Sequence, residues 1–128
     1  MRLHLPASPW LVIGLVAWCA QEPGAQPRSV QTTLPVVAIA DLPREAHATM
    51  QLVRAGGPFP YERDGVRFGN RERLLPRKDR DYYREYTVRT PQVRTRGARR
   101  LVCGGPKTTP EVCYYTDDHY QSFSRIRE

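Results

Sequence analysis

The sequence predicts an α+β fold, with one N-terminal helix packed on a twisted antiparallel β-sheet. Three observations lead there. One stretch carries apolar residues at helical spacing, the stretches after it alternate with a period of two, and 128 residues leave room for one domain. Asp41-Leu42-Pro43 reads as a helix start, a capping oxygen followed by a proline whose missing N–H costs nothing in a first turn. Leu42, Ala46, Met50 and Val53 recur on one face, with Thr49 alongside. Gly56-Gly57-Pro58 supplies the left-handed cap and the stop, so the helix is expected over 42–55. His47 falls off the apolar stripe and is given no role.

Beyond the helix the pattern becomes that of strands. Residues 82–89 alternate and are rich in Tyr, Thr and Val, and 99–103, 112–116 and 122–126 are further short candidates. Thr90-Pro91, Gly104-Gly105-Pro106 and Asp117-Asp118 separate them as turns. No internal repeat or low-complexity tract is visible.

The first 25 residues differ from the rest. Arg2 and His4 precede the apolar run from Trp10 to Trp18. That run is too short for a bilayer span, which takes about 20 apolar residues, and suits the core of a secretory signal peptide. Ala17-Trp18-Cys19 and Pro23-Gly24-Ala25 are both candidate cleavage regions, and Trp18 is too bulky for a lipoprotein signal at Cys19. The organisation expected is a signal peptide over 1–25, a linker over 26–40 and a folded domain over 41–128, giving a secreted, extracellular protein. Once Cys19 has left with the leader, Cys103 and Cys113 form an even pair, which an oxidising compartment would bond across the turn between them. Two free thiols are the competing reading, and two cysteines with no histidine nearby make a poor zinc set.

The net charge is +7, from 20 Lys and Arg against 13 Asp and Glu. Such a surface attracts nucleic acid or an anionic membrane, and charge alone does not choose between them. Alternation places Tyr83, Glu85, Thr87 and Arg89 on one strand face. Strands deplete glutamate, so Glu85 stands out, although a solvent-facing carboxylate paired with an arginine would explain it equally. Arg94, Arg96, Arg99 and Arg100 fall within seven residues, a loop suited to phosphate or simply a solvated basic loop. His119 is one of three histidines and the one that lies near the C-terminus. Asp117-Asp118-His119 gives no metal site, because consecutive side chains seldom converge. A carboxylate, an imidazole and an arginine cluster suffice for metal-independent RNA cleavage: a base for the 2′-OH, an acid for the leaving 5′-oxygen, and cations for the phosphorus-centred charge.

These residues sit in a longer series. It runs through Gly57-Pro58-Phe59-Pro60-Tyr61, Asp64-Gly65-Val66-Arg67-Phe68-Gly69-Asn70-Arg71-Glu72, Leu75-Pro76 and Tyr82-Tyr83-Arg84-Glu85-Tyr86-Thr87-Val88. It continues through Arg94-Thr95-Arg96-Gly97-Ala98-Arg99-Arg100 and ends with Tyr114-Tyr115-Thr116-Asp117-Asp118-His119-Tyr120-Gln121-Ser122-Phe123. Over about 42–128 the chain resembles the guanine-specific microbial ribonucleases, the group of barnase and its actinobacterial relatives. The resemblance implies the microbial ribonuclease fold, with Glu85 as general base, His119 as general acid, and Arg96 and Arg100 as phosphate ligands. It implies that Phe68, Gly69, Asn70, Arg71 and Glu72 form the guanine-recognition loop and that Tyr120 stacks on the base. Read alone, Glu72 is equally a surface carboxylate beside Arg71 or Arg73, and Gly69-Asn70 a turn.

The implied activity is cleavage of single-stranded RNA 3′ to guanosine through a 2′,3′-cyclic phosphate, with no cofactor and no metal. The implied partners are RNA and an acidic intracellular inhibitor protein, the enzyme being a monomer free of the membrane after processing. Two alternatives share the fold: a non-catalytic basic module that binds nucleic acid or a partner, and a toxin domain. Gly69 offers no side chain, Arg84 adds a cation next to Glu85 in sequence, and a Cys103–Cys113 bridge differs from the terminus-tying bridge of some relatives.

Overall fold

The computed structural model describes residues 33–128, together with residues 3, 9, 14 and 24. The leader expected over 1–25 otherwise lies outside the described residues, as does the start of the expected linker. The helix, α1, spans Arg44–Ala55 and buries Ala46, Thr49, Met50 and Val53. Its end is the one read from the glycines. Gly56 adopts φ 77, Gly57 N–H donates to the Leu52 carbonyl at 2.9 Å, and Gly56 N–H donates to that of Val53 at 3.2 Å. These are the two bonds of a Schellman cap.

The start differs from expectation. Asp41 makes no cap. It closes a 3-10 turn over Ile39–Asp41, while Pro43 holds the cap position in an extended conformation with no side-chain bond. Proline has no N–H and a fixed φ, so it sits at the entry and the first helical bond runs from Ala46 N–H to its carbonyl at 2.9 Å.

Six strands form one sheet in the order β1-β6-β5-β4-β3-β2. They are β1 Val36–Ala38, β2 Val66–Arg67, β3 Tyr83–Thr87, β4 Arg100–Gly104, β5 Val112–Thr116 and β6 Ser124–Arg127. The last four match the alternating segments. The sheet is mixed, because β1 runs parallel to β6, with Val36 opposite Arg125 and Ala38 opposite Arg127. The second half of the segment expected as linker over 26–40 is therefore ordered as a strand and a turn. Three residues carry no visible periodicity, and their partner lies at the other end of the chain.

The two faces of the sheet have different cores. Leu42, Ala46, Met50 and Val53 pack on Tyr86, Val88, Leu101, Cys103, Cys113 and Ile126. Burying Met50 or Val53 contributes about 1.5–3 kcal/mol each. On the opposite face Leu75, Tyr83, Val102, Tyr114 and Phe123 form a second cluster, with Phe68 and Tyr120 at its margin. Cys103 and Cys113 are register partners on β4 and β5 and are joined as a disulfide on the helix face. Among the described residues no helix is long and apolar enough to cross a membrane.

Candidate active site

Period-two alternation turns Tyr83, Glu85 and Thr87 away from the helix. Register then extends that row across the sheet, with Glu85 opposite Val102 and Val102 opposite Tyr114. One step along, Thr87 lies opposite Arg100 and Arg100 opposite Thr116. The face is thus apolar at the Tyr83 end and polar at the Thr87 end. Glu85 stands at the boundary, 6% exposed.

A carboxylate this buried needs charge partners. Arg96 Nη2 lies 3.5 Å and Arg63 Nε 3.6 Å from Glu85 Oε1, and the Tyr120 hydroxyl donates to Oε2 at 2.9 Å. Burial, followed by the bond to Glu85, raises the Tyr120 phenol to about 12, so it remains a donor at neutral pH.

Arg100 is 2% exposed, and among the described residues no carboxylate pairs with it. Its Nη1 donates to the carbonyls of Arg99 at 2.8 Å and Arg96 at 3.4 Å. Arg96 Nε donates to Thr87 Oγ1 at 3.0 Å. Arg100 Nε and Arg96 Nη2 are both buried without a hydrogen-bond partner. Glu85 balances the charge of Arg96, whereas Arg100 is a desolvated cation with no carboxylate beside it among the described residues, so the orphan donors of these two guanidiniums are suited to an anion. The other two arginines of the segment lie elsewhere: Arg94 is exposed, and Arg99 lines a separate cleft with Tyr115 and Asp117.

Tyr120 ties the groups together. Its hydroxyl reaches Glu85, its ring lies 5.9 Å from the Arg100 guanidinium, and the His119 ring is 4.9 Å away. His119 is exposed and held by its N–H to the Ala98 carbonyl at 3.1 Å. Both residues have left-handed backbones, φ 54 and φ 70, in a turn organised by Thr116 and Asp118. Thr116 Oγ1 accepts from Tyr120 N–H at 3.2 Å and donates to Asp118 Oδ1 at 2.8 Å, and Asp118 accepts both the N–H and the hydroxyl of Ser122.

The segment Phe68–Glu72 forms one wall of a cleft of about 260 Å³ that also takes in Arg63, Glu85, Tyr120 and Phe123. Phe68 is anchored by its N–H to the Tyr83 carbonyl at 2.9 Å, and its ring stacks on Tyr120 at 5.2 Å. The Asn70 side chain bridges the loop, donating to the Leu75 carbonyl at 2.9 Å and accepting its N–H at 3.1 Å. Its amide is therefore a clamp that shapes the loop. Gly69, Arg71 and Glu72 are exposed in the same cleft. Among the described residues no group of three or more His, Cys, Asp or Glu is placed to hold a metal ion.

Sequence reasoning passed over Arg63 and Asp64. Asp64 Oδ1 accepts from Thr87 N–H at 2.7 Å and Oδ2 from Tyr61 N–H at 3.2 Å, which fastens the 61–65 loop to β3. The one signal was Asp64-Gly65, a turn pair ahead of an extended segment.

A pair of arginines with buried unpaired donors beside a buried carboxylate, flanked by an aromatic cleft, is the arrangement of a protein class suited to polyanions that bear planar bases. The comparisons with known proteins agree. The sequence model of the ribonuclease family matches residues 25–127. Guanyl-specific ribonuclease Sa from Kitasatospora aureofaciens is 52% identical over 90 residues, which cover 70% of this chain and 91% of that protein. Guanyl-specific ribonuclease Sa3 from the same organism is also 52% identical over 90 residues, and there the match spans 62% of the relative's length. The crystal structure of ribonuclease Sa2 with guanosine-2′-cyclophosphate superimposes with a TM-score of 0.67 at 45% identity, covering 73% of this chain and 96% of that one. The chain belongs to the guanine-specific microbial ribonuclease family.

Proposed function

We propose that the chain is a secreted endoribonuclease that cuts single-stranded RNA 3′ to guanosine by transphosphorylation. The observation that carries this reading is the pair of buried orphan donors, Arg96 Nη2 and Arg100 Nε, beside the buried Glu85 carboxylate. A scissile phosphate placed there satisfies both donors and brings its ribose 2′-OH to Glu85.

Glu85 accepts the 2′-OH proton, displacing the Tyr120 hydroxyl from Oε2, and the 2′-oxygen attacks phosphorus. The P–O5′ bond breaks as His119 gives a proton to the departing oxygen. Arg96 and Arg100 stabilise the charge that builds on the phosphoryl oxygens. The products are a 2′,3′-cyclic phosphate and a free 5′-OH. Water then opens the ring with the two proton transfers reversed. Guanine enters the Phe68–Glu72 cleft, where backbone N–H groups meet O6 and the Glu72 carboxylate accepts from N1–H and N2–H. Tyr120 flanks the base by stacking. Adenine lacks that donor pair and leaves Glu72 unpaired. DNA, with no 2′-OH, binds through charge and survives.

The test is incubation with GpC, ApC and deoxy-GpC in EDTA. Guanosine 2′,3′-cyclic phosphate is expected from GpC alone. Glu85→Gln and His119→Ala should each lower turnover by about 10²-fold or more. No cyclic product would refute the ribonuclease reading and favour the non-catalytic binding module, whereas both variants at the wild-type rate would refute the roles given to Glu85 and His119. The apolar run of the leader supports export, and N-terminal sequencing of protein from the culture medium checks it. The basic surface makes an acidic cytoplasmic inhibitor a fitting partner for the chain before export, and copurification of an acidic protein tests that idea.

A further inference from the structure

We propose that Arg63 is a third substrate-contacting arginine, which binds the scissile phosphate together with Arg96 and Arg100. The inference rests on the ribonuclease reading of the site. Arg63 lies outside the arginine-rich segment, on the 61–65 loop, and its Nε stands 3.6 Å from the Glu85 oxygen that Arg96 also approaches.

Both contacts exceed hydrogen-bond length, so neither guanidinium is committed to Glu85 by a directed bond. The two cations differ in depth. The Arg96 side chain is 26% exposed and that of Arg63 is 63% exposed. Arg63 therefore lies nearer solvent than Arg96, and it lines the cleft that holds Phe68–Glu72 and Glu85.

A solvated ion pair that simply fastens the loop is the competing explanation. The loop is already fastened without it. Asp64 holds the N–H groups of Thr87 and Tyr61, Gly65 N–H donates to the Glu85 carbonyl at 2.8 Å, and Arg84 Nη1 donates to the Gly65 carbonyl at 2.9 Å. Val66 N–H donates to the Arg63 carbonyl itself at 3.2 Å. The loop that carries Arg63 is thus tied to β3 at Arg84, Glu85 and Thr87 through its Asp64 and Gly65, and an exposed ion pair adds little to such a loop. What the pinning does achieve is to hold a guanidinium with free donors over Glu85. When Glu85 takes up the 2′-OH proton it loses its charge, and the cations around it then face the phosphoryl oxygens on which negative charge is growing. A preorganised donor at that point favours the transition state over the ground state.

The experiment compares wild type, Arg63→Ala and Arg63→Lys in three readouts: GpC cleavage, calorimetric binding of 3′-GMP, and calorimetric binding of guanosine. Arg63→Ala should lower kcat/KM for GpC by about tenfold or more. It should weaken 3′-GMP about tenfold and guanosine by much less, with Arg63→Lys recovering part of the losses in cleavage and in 3′-GMP binding. Wild-type values of kcat/KM and of 3′-GMP affinity in Arg63→Ala would overturn the proposal, as would an equal loss for 3′-GMP and guanosine. Failure of the wild type to cleave GpC would instead refute the ribonuclease reading, and the 3′-GMP comparison would still decide whether Arg63 holds phosphate.

Discussion

Asp118 shows how a single side chain can set up a site without touching substrate. Its carboxylate accepts from Ser122 and Thr116 and so closes the turn that holds His119 and Tyr120 at positive φ. Left-handed backbone costs an ordinary residue roughly 1–2 kcal/mol, and a bonded turn offsets it. The Ser122 hydroxyl bond leads the causes that hold the Asp118 carboxyl below its ordinary 3.8. A depressed carboxyl adds stability above the unfolded value, and that contribution is lost as pH falls through the folded value. Asp118→Asn should therefore melt lower than wild type at neutral pH, the gap narrowing as pH falls below 3.8. Thermal melts from pH 7 to pH 2 measure this, and a gap constant across the range would rule it out. GpC turnover should fall as well, because the mutation loosens the turn that carries His119.

At the level of elements, the β4–β5 pair does two separable jobs on its two faces. Leu101, Cys103 and Cys113 belong to the helix-side core, while Arg100, Val102 and Tyr114 face the site and its aromatic cluster. The Cys103–Cys113 bridge closes a loop with a sequence separation of 10. Replacing both cysteines with serine should cost about 2–4 kcal/mol, mainly by freeing the unfolded chain. Urea unfolding would show the loss. Cleavage of GpC well below the new midpoint should match wild type, because Glu85 and Arg100 project from the other face. A large loss of activity in the folded variant would mean that the bridge shapes the site.

Taken whole, the molecule buries phenols on both sides of its sheet. Burial is the largest cause in raising Tyr82, Tyr83, Tyr86, Tyr114, Tyr115 and Tyr120 above 10.0, with Tyr82 and Tyr120 reaching about 12. A group whose folded value is raised stabilises the fold below its unfolded value, and the stabilisation is lost as pH rises through the folded one. Stability should therefore decline from about pH 10 upwards. The phenolate absorbance of these six should appear together with unfolding and not ahead of it. Ultraviolet titration alongside circular dichroism tests the point, and full phenolate formation in a chain that stays folded would contradict it.

The fold class, the helix with its glycine cap and four of the six strands were legible because each is a local pattern: a 3.6-residue stripe, a two-residue alternation, a turn residue. Residues 85, 96, 100 and 119 were legible as chemical types at known places in a series. Only the tertiary structure brought in β1, whose three residues are a strand solely because β6 lies beside them, and moved the helix start from Asp41 to Pro43. Only register set Arg100 on the Glu85 face while Arg99 lines another cleft, only the fold of the loop before β4 brought Arg96 to Glu85, and only the Asp64 clamp put Arg63 over the same carboxylate. Sequence determines what depends on neighbours along the chain. Which distant side chains share one carboxylate oxygen depends on strand register and loop anchoring, and those are set by packing across the whole sheet.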